Sequence, residues 1–177
     1  MAEDGSEQAS ASAPPEPAAP APARRERVFL VVVDDTAEMK NALHFAIRRA
    51  RSTDGRVALL YVLEPPEFQH WLGVERVMQE EARQQAEQML QALAAKVQVE
   101  TGKLPVLHVR EGRRNEELLG LIEEDPSIQL LVLGTATGRE GPGPLVTYLV
   151  SQMGDQMRVP VTLVPGQLTP EEIDEVS

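Results

Sequence analysis

Few residues in this chain have the chemistry for covalent catalysis. There is no cysteine, which excludes thiolate nucleophiles, thiolate metal sites and disulfide scaffolds. The histidines are His44, His70 and His108, and no two have the i, i+4 spacing that puts a pair of imidazoles on one helix face. No Gly-x-Ser-x-Gly elbow is present for a serine nucleophile. Two stretches remain. One is a pair of carboxylates followed by a hydroxyl, Asp34-Asp35-Thr36. Such a pair could share acid–base work, but Asp35 with Glu38 three residues on also fits the capping box of a following helix. The other stretch runs from Gly134 through Gly138, Gly141 and Gly143 to Pro144. Glycines let backbone amides approach an anion closely, and a helix N-terminus adds positive potential. The interleaved Pro142 and Pro144 stiffen the loop and remove amide donors. An anion-binding nest and a purely structural loop both fit this pattern. No catalytic residue and no metal ligand is singled out.

The elements that must position these stretches follow from two hydrophobic periods. Val28-Phe29-Leu30-Val31-Val32-Val33 is a continuous apolar run, the mark of a strand buried on both faces. Met39, Leu43, Ala46, Ile47 and Ala50 then recur at helical spacing, and Ser52-Thr53-Asp54-Gly55 ends that helix. Val57–Leu63 predicts a second strand, closed by Pro65 and Pro66. Residues 67–73, with Phe68 and Trp71, predict a loop over the core. A long helix is expected from about Val74 to Glu100, with Gln84, Gln85, Gln88 and Gln91 on its outer face. Val106–Val109 predicts a third strand, Asn115 an N-cap for a helix through Ile122, and Leu130–Leu133 a fourth strand entered from Ile128. A helix resumes near Leu145, Val159–Val164 predicts the fifth strand, and Thr169–Ile173 one helical turn before an acidic end.

This βαβαβαβαβ order predicts an α/β fold, a five-stranded parallel sheet with helices on both faces and right-handed crossovers. Ligands of such sheets sit beyond the carboxyl ends of the strands. Three segments are expected to meet there: Asp34 onwards, Val62 onwards and Gly134 onwards.

Composition sets the outer bounds. The chain has 177 residues, enough for one ordinary domain. Only 3% are aromatic, so the core must be built from Leu, Val, Ile and Ala. A net charge of −11 repels phosphate backbones and anionic lipid, which argues against nucleic-acid and membrane-surface partners. No run reaches the roughly 18 apolar residues of a membrane span, and the N-terminus lacks a secretory pattern, so the expected compartment is the cytoplasm. Residues 1–25 are rich in Ala, Pro, Ser and Glu and predict a disordered tail. Residues 26–166 are the folded domain, and 167–177 are expected to be an acidic C-terminal tail.

Over residues 26–165 the pattern resembles the universal stress protein family. The resemblance rests on Val32-Val33-Asp34-Asp35-Thr36, on the helical insertion after Val57–Leu63, on Leu131-Val132-Leu133-Gly134, and on the closing Val159-Pro160-Val161-Thr162-Leu163-Val164-Pro165. It implies a stress-related regulatory or binding module with a nucleotide cleft. By that resemblance Asp34 contacts the nucleoside and Val62 lines the adenine, with Val32 lying beside them. The backbone of Gly134, Thr135 and Gly138 serves the phosphates of ATP or AMP, with Mg offsetting Asp34. The family's phosphate loop is Gly, two residues, Gly, nine residues, then Gly followed by Ser or Thr. Aligned from Gly134, this chain has Thr137 at the second glycine and Thr147-Tyr148 at the last pair. A second register, from Gly138 and Gly141 to Ser151-Gln152, fits no better. The expected consequence is weak or absent ATP binding by a non-catalytic module. A nucleotide-gated switch or weak ATPase is the alternative. The family also implies a homodimer through Val159–Val164, an apolar strand that would otherwise be a bare sheet edge.

Overall fold

The structure is a computed structural model, and it describes residues 26–65, 75–136, 141–152 and 157–177. The expected tail over 1–25, the loop holding Phe68, His70 and Trp71, and Gly138 lie outside these residues.

The uninterrupted apolar run becomes the central strand, β1 (Val28–Val32), whose residues are all buried. Alternate side chains serve opposite faces. Phe29, Val31 and Val33 join one core cluster, and Val28, Leu30 and Val32 join the other. The remaining elements are α1 (Ala37–Thr53), β2 (Arg56–Leu63), α2 (Glu75–Thr101), β3 (Val106–Glu111), α3 (Arg114–Glu124), β4 (Ile128–Thr135), α4 (Pro144–Gln152), β5 (Val161–Pro165) and α5 (Pro170–Val176). The sheet order is β3-β2-β1-β4-β5, with every pairing parallel. Helices α1, α2 and α5 cover the Phe29 face, while α3 and α4 cover the Leu30 face. This is the predicted five-stranded parallel layer with helices on both faces. Its core is aliphatic, with Phe29 the one buried aromatic among the described residues. No helix among the described residues is long and apolar enough to cross a membrane.

Two N-caps differ from expectation. Helix α1 is capped by Thr36, not Asp35: the Thr36 hydroxyl accepts from the Met39 N–H at 3.3 Å. The reason lies one residue earlier still. Asp34 Oδ1 accepts both the Thr36 N–H (3.0 Å) and the Thr36 hydroxyl (2.5 Å), and this turn aims Thr36 at the first-turn amides. Helix α3 begins at Arg114, one residue before the expected cap Asn115, and Arg113 in the cap position makes no side-chain cap.

The chain's end is more structured than one turn. Helix α5 has a capping box between Thr169 and Glu172, and Ile173 is fully buried. Asn41 on α1 donates to the carbonyls of Pro165 (3.2 Å), Gly166 (3.1 Å) and Leu168 (2.9 Å). Asp174 on α5 meets His44 Nε2 at 2.8 Å and Arg48 Nε at 2.9 Å. The last segment is thus bound to α1 by one apolar plug, three hydrogen bonds from Asn41 and the two contacts of Asp174.

Candidate functional site

The carboxyl ends of β1, β2 and β4 converge as the strand order requires. Asp34 lies just past the end of β1 and is partly buried. Its Oδ1 is engaged by Thr36, and its Oδ2 faces the Arg114 guanidinium at 3.9 Å. Arg114 is the first residue of α3, so the β3 end contributes here as well, although the sequence pattern pointed only to the other three strands. Glu64, the residue after β2, accepts from the Arg114 backbone N–H at 3.2 Å and pairs with its Nη2 at 3.3 Å. Neither Glu64 nor Arg114 was expected at the site. The signal for Glu64 was its place directly after Val62-Leu63 in a segment already expected there. Arg114 had a weaker one, its place just past Gly112 where β3 must end.

Val32 and Val62 have side chains buried in the Leu30-face core. What Val62 can offer a ligand is backbone. Pairing of β1 with β2 ends at Val32 and Leu60, with one further bond from the Val33 N–H to the Leu60 carbonyl at 2.7 Å. Alternate residues of a parallel strand bond to the same neighbour. Val62, two residues past Leu60, therefore directs its amide and carbonyl toward the space where β1 has left the sheet. That edge suits the hydrogen-bonding side of a planar base.

The phosphate side differs. Gly134 is needed for packing: a Cβ there would overlap the backbone carbonyl of Glu38 in the first turn of α1. Gly166 admits the same residue from the other side, where a Cβ would stand 2.5 Å from Glu38 Cγ. Thr135 closes β4 and its carbonyl accepts the Gly166 N–H at 2.9 Å. Gly141 and Gly143 both have positive φ, 80° and 94°, a conformation that favours glycine. Pro144 then opens α4 without an amide proton. The Thr147 hydroxyl is turned back to the Gly143 carbonyl at 2.9 Å, and Tyr148 packs against the Leu30-face core. Among the described residues, the β1–β2 end offers a carboxylate and free backbone that fit a nucleoside, while Pro144 and Thr147 at the β4–α4 end offer a polyphosphate no free donor of the kind the Gly-Ser pair would supply.

Among the described residues, displaced pKa values fall on Asp54, Lys103, His108 and Arg110 among others, and Arg110 is the β3 register partner of Val62. Lys103, before β3, donates to Asp54, before β2, and holds that carboxyl below its usual range. His108 on β3 is pushed below the ordinary imidazole value, first by burial and then by Arg110.

Comparison with known proteins agrees with this architecture. Solved structures with the same fold include the universal stress protein UspA from Lactobacillus plantarum, 20% identical, with a TM-score of 0.67 over 79% of this chain and 98% of that one. A universal stress protein from Archaeoglobus fulgidus in complex with dAMP is 17% identical, with a TM-score of 0.55 over 78% and 97%. A universal stress protein family protein from Arabidopsis thaliana with AMP bound is 15% identical, with a TM-score of 0.56 over 78% and 91%. No curated protein matches at a significant level by sequence. The family model described as universal stress protein family matches residues 26–165. Helix α5 lies beyond that match. The sheet order, the acid ending β1 and the match across the folded body lead to one conclusion: this chain belongs to the universal stress protein family.

Proposed function

We propose that this chain is a non-catalytic regulatory or binding module of its family, with weak or absent ATP binding, acting in the cytoplasm as a homodimer. The observation that carries the reading is the use made of the phosphate side. The missing Cβ of Gly134 admits Glu38, the Thr147 hydroxyl is spent on Gly143, and Pro144 has no amide to give. Among the described residues there, Pro144 and Thr147 offer a triphosphate no free donor. Asp34, Asp35 and Glu38, all within the turn into α1, add repulsion.

The dimer reading is supported by the β5 edge. Leu163 is 43% exposed on this strand, and Val150 on the adjoining α4 is 59% exposed. With Leu133, Val146, Leu149 and Val161 they line one apolar groove. A bare edge beside an apolar groove is a liability that a second copy removes. A chain without cysteine is compatible with the reducing cytoplasm.

The alternative, a nucleotide-gated switch or weak ATPase that binds ATP or AMP with Mg, has one observation in its favour: the AMP and dAMP named for two solved relatives. Equilibrium dialysis of the full chain against labelled ATP with magnesium decides between them. The expected dissociation constant is about millimolar or weaker, and retention at micromolar ATP overturns the proposal. For the dimer, native mass spectrometry should give two chains of 19.4 kDa, and Leu163→Arg should give one. A wild-type monomer at micromolar concentration removes that part of the reading.

A further inference from the structure

Strands β1, β2 and β3 are tied by charge at both ends. Where they start, Glu26 meets Arg56 at 3.1 Å and Lys103 at 3.1 Å, and Lys103 meets Asp54 at 2.8 Å. Where they finish, the tie is Asp34, Arg114 and Glu64. The first tie uses no residue of the candidate site. The second engages Asp34, the acid that by the family resemblance contacts a nucleoside and whose carboxylate suits the hydroxyls of its sugar.

The geometry explains why Arg114 stays there. Helix α3 has no side-chain cap of its own. Glu64 supplies the acceptor for its first amide and the negative charge that a helix N-terminus favours. The same carboxylate holds the guanidinium, which leaves Nη1 facing Asp34 Oδ2. Oδ1 already accepts two bonds from Thr36. Oδ2 is thus the acceptor left open to a sugar hydroxyl, and that hydroxyl would share it with the Arg114 cation 3.9 Å away.

We propose that Arg114 limits nucleoside affinity at this cleft: anchored by Glu64, it competes with the sugar hydroxyls of a nucleoside for Asp34. This rests on reading the cleft as a weak nucleotide site. The side chains of Arg114 and Asp34 are 33% and 25% exposed, so the competing ion pair is open to screening by salt.

The test is equilibrium dialysis of the full chain with labelled adenosine, which is uncharged and leaves the phosphate side out. Arg114→Gln should bind adenosine at least about fivefold more tightly than wild type, and Glu64→Gln at least about twofold. Lys103→Gln, which breaks the tie at the opposite end, should match wild type. Raising NaCl from about 20 to about 300 mM should tighten adenosine binding by wild type and leave Arg114→Gln unchanged. The double variant D34N/R114Q should lose the gain. Equal or weaker binding by Arg114→Gln, a gain that survives in the double variant, or no adenosine bound by any variant overturns the proposal. Should Arg114→Gln lose its far-UV circular dichroism, Glu64→Gln carries the test, and no gain there overturns it too. Tight ATP binding by wild type sinks the weak-ATP reading instead, while the ratio of Arg114→Gln to wild type still judges Arg114.

Discussion

Strands β4 and β5 have one face that the chain completes and one that it leaves open. On the α1 side, Glu38 fits between Gly134 and Gly166, Asn41 gathers three carbonyls of the turn after β5, and Ile173 of α5 is fully buried. On the α4 side, Leu163 and Val150 stand exposed over a groove. Both faces are apolar in sequence, so hydropathy does not separate them. The difference is made by the segment after β5. The chain turns back over α1, and its last helix is spent there. On the proposed dimer reading, the open side is where a second copy would sit.

Substitutions of similar size should therefore cost very different amounts on the two faces. The largest effect is expected at Gly134→Val. Any Cβ there overlaps the Glu38 carbonyl, and backbone cannot swing aside as a side chain can. A loss of about 3 kcal/mol or more is expected from urea unfolding. A loss below about 1 kcal/mol would mean that α1 slides freely over β4, and the sealed face would be sealed in name only.

The next comparison pairs two aliphatic truncations. Ile173→Ala empties a fully buried position and should cost about 2 kcal/mol, with faster amide exchange along α5. Leu163→Ala removes a side chain already 43% exposed and should cost about 0.5 kcal/mol or less when unfolding is followed at a concentration where the chain is monomeric. Equal costs would erase the distinction between the faces. A larger cost at Leu163 that grows with protein concentration would sharpen it, because it would locate the second copy on the open side.

The fold was legible because a parallel sheet writes itself plainly. Val28–Val33 could not be a solvent-facing strand, and the Met39-to-Ala50 spacing could not be anything but a helix face. The site was half legible. Asp34, Val62 and Gly134 fall at strand ends, where topology alone makes them neighbours. Arg114 and Glu64 are 50 residues apart and meet through a backbone amide, a contact with no local signature. The Asp35 cap failed for a related reason. Asp, Asp and Thr in a row all suit an N-cap, and only the turn made by Asp34 decides that Thr36 takes it. Gly134 reads in sequence as a phosphate glycine, and its use as a packing glycine depends on where α1 lies.

The smallest expected effect concerns the α3 side of the sheet, where a titratable group sits among the packing. His108 pairs in register with Leu60, so it shares the Leu30-face side with α3, and its Nε2 is buried with no hydrogen-bond partner among the described residues. Burial, and then Arg110, lower its pKa, while Asp125 and Glu124 pull the other way. The unfolded chain takes up this proton near the ordinary imidazole value of 6.5, and the folded chain resists until lower pH. Below about pH 6.5 the unfolded state thus binds more protons, and stability falls as pH drops through that window. Above it the penalty is absent. Thermal melts of wild type and His108→Gln between about pH 7.5 and pH 5.5 should show a Tm that declines more steeply in wild type. Parallel declines would mean that the imidazole is charged in the fold at no cost. The α3 side would then be wetter than its burial implies, and the contrast with the α1 side would rest on the β5 edge alone.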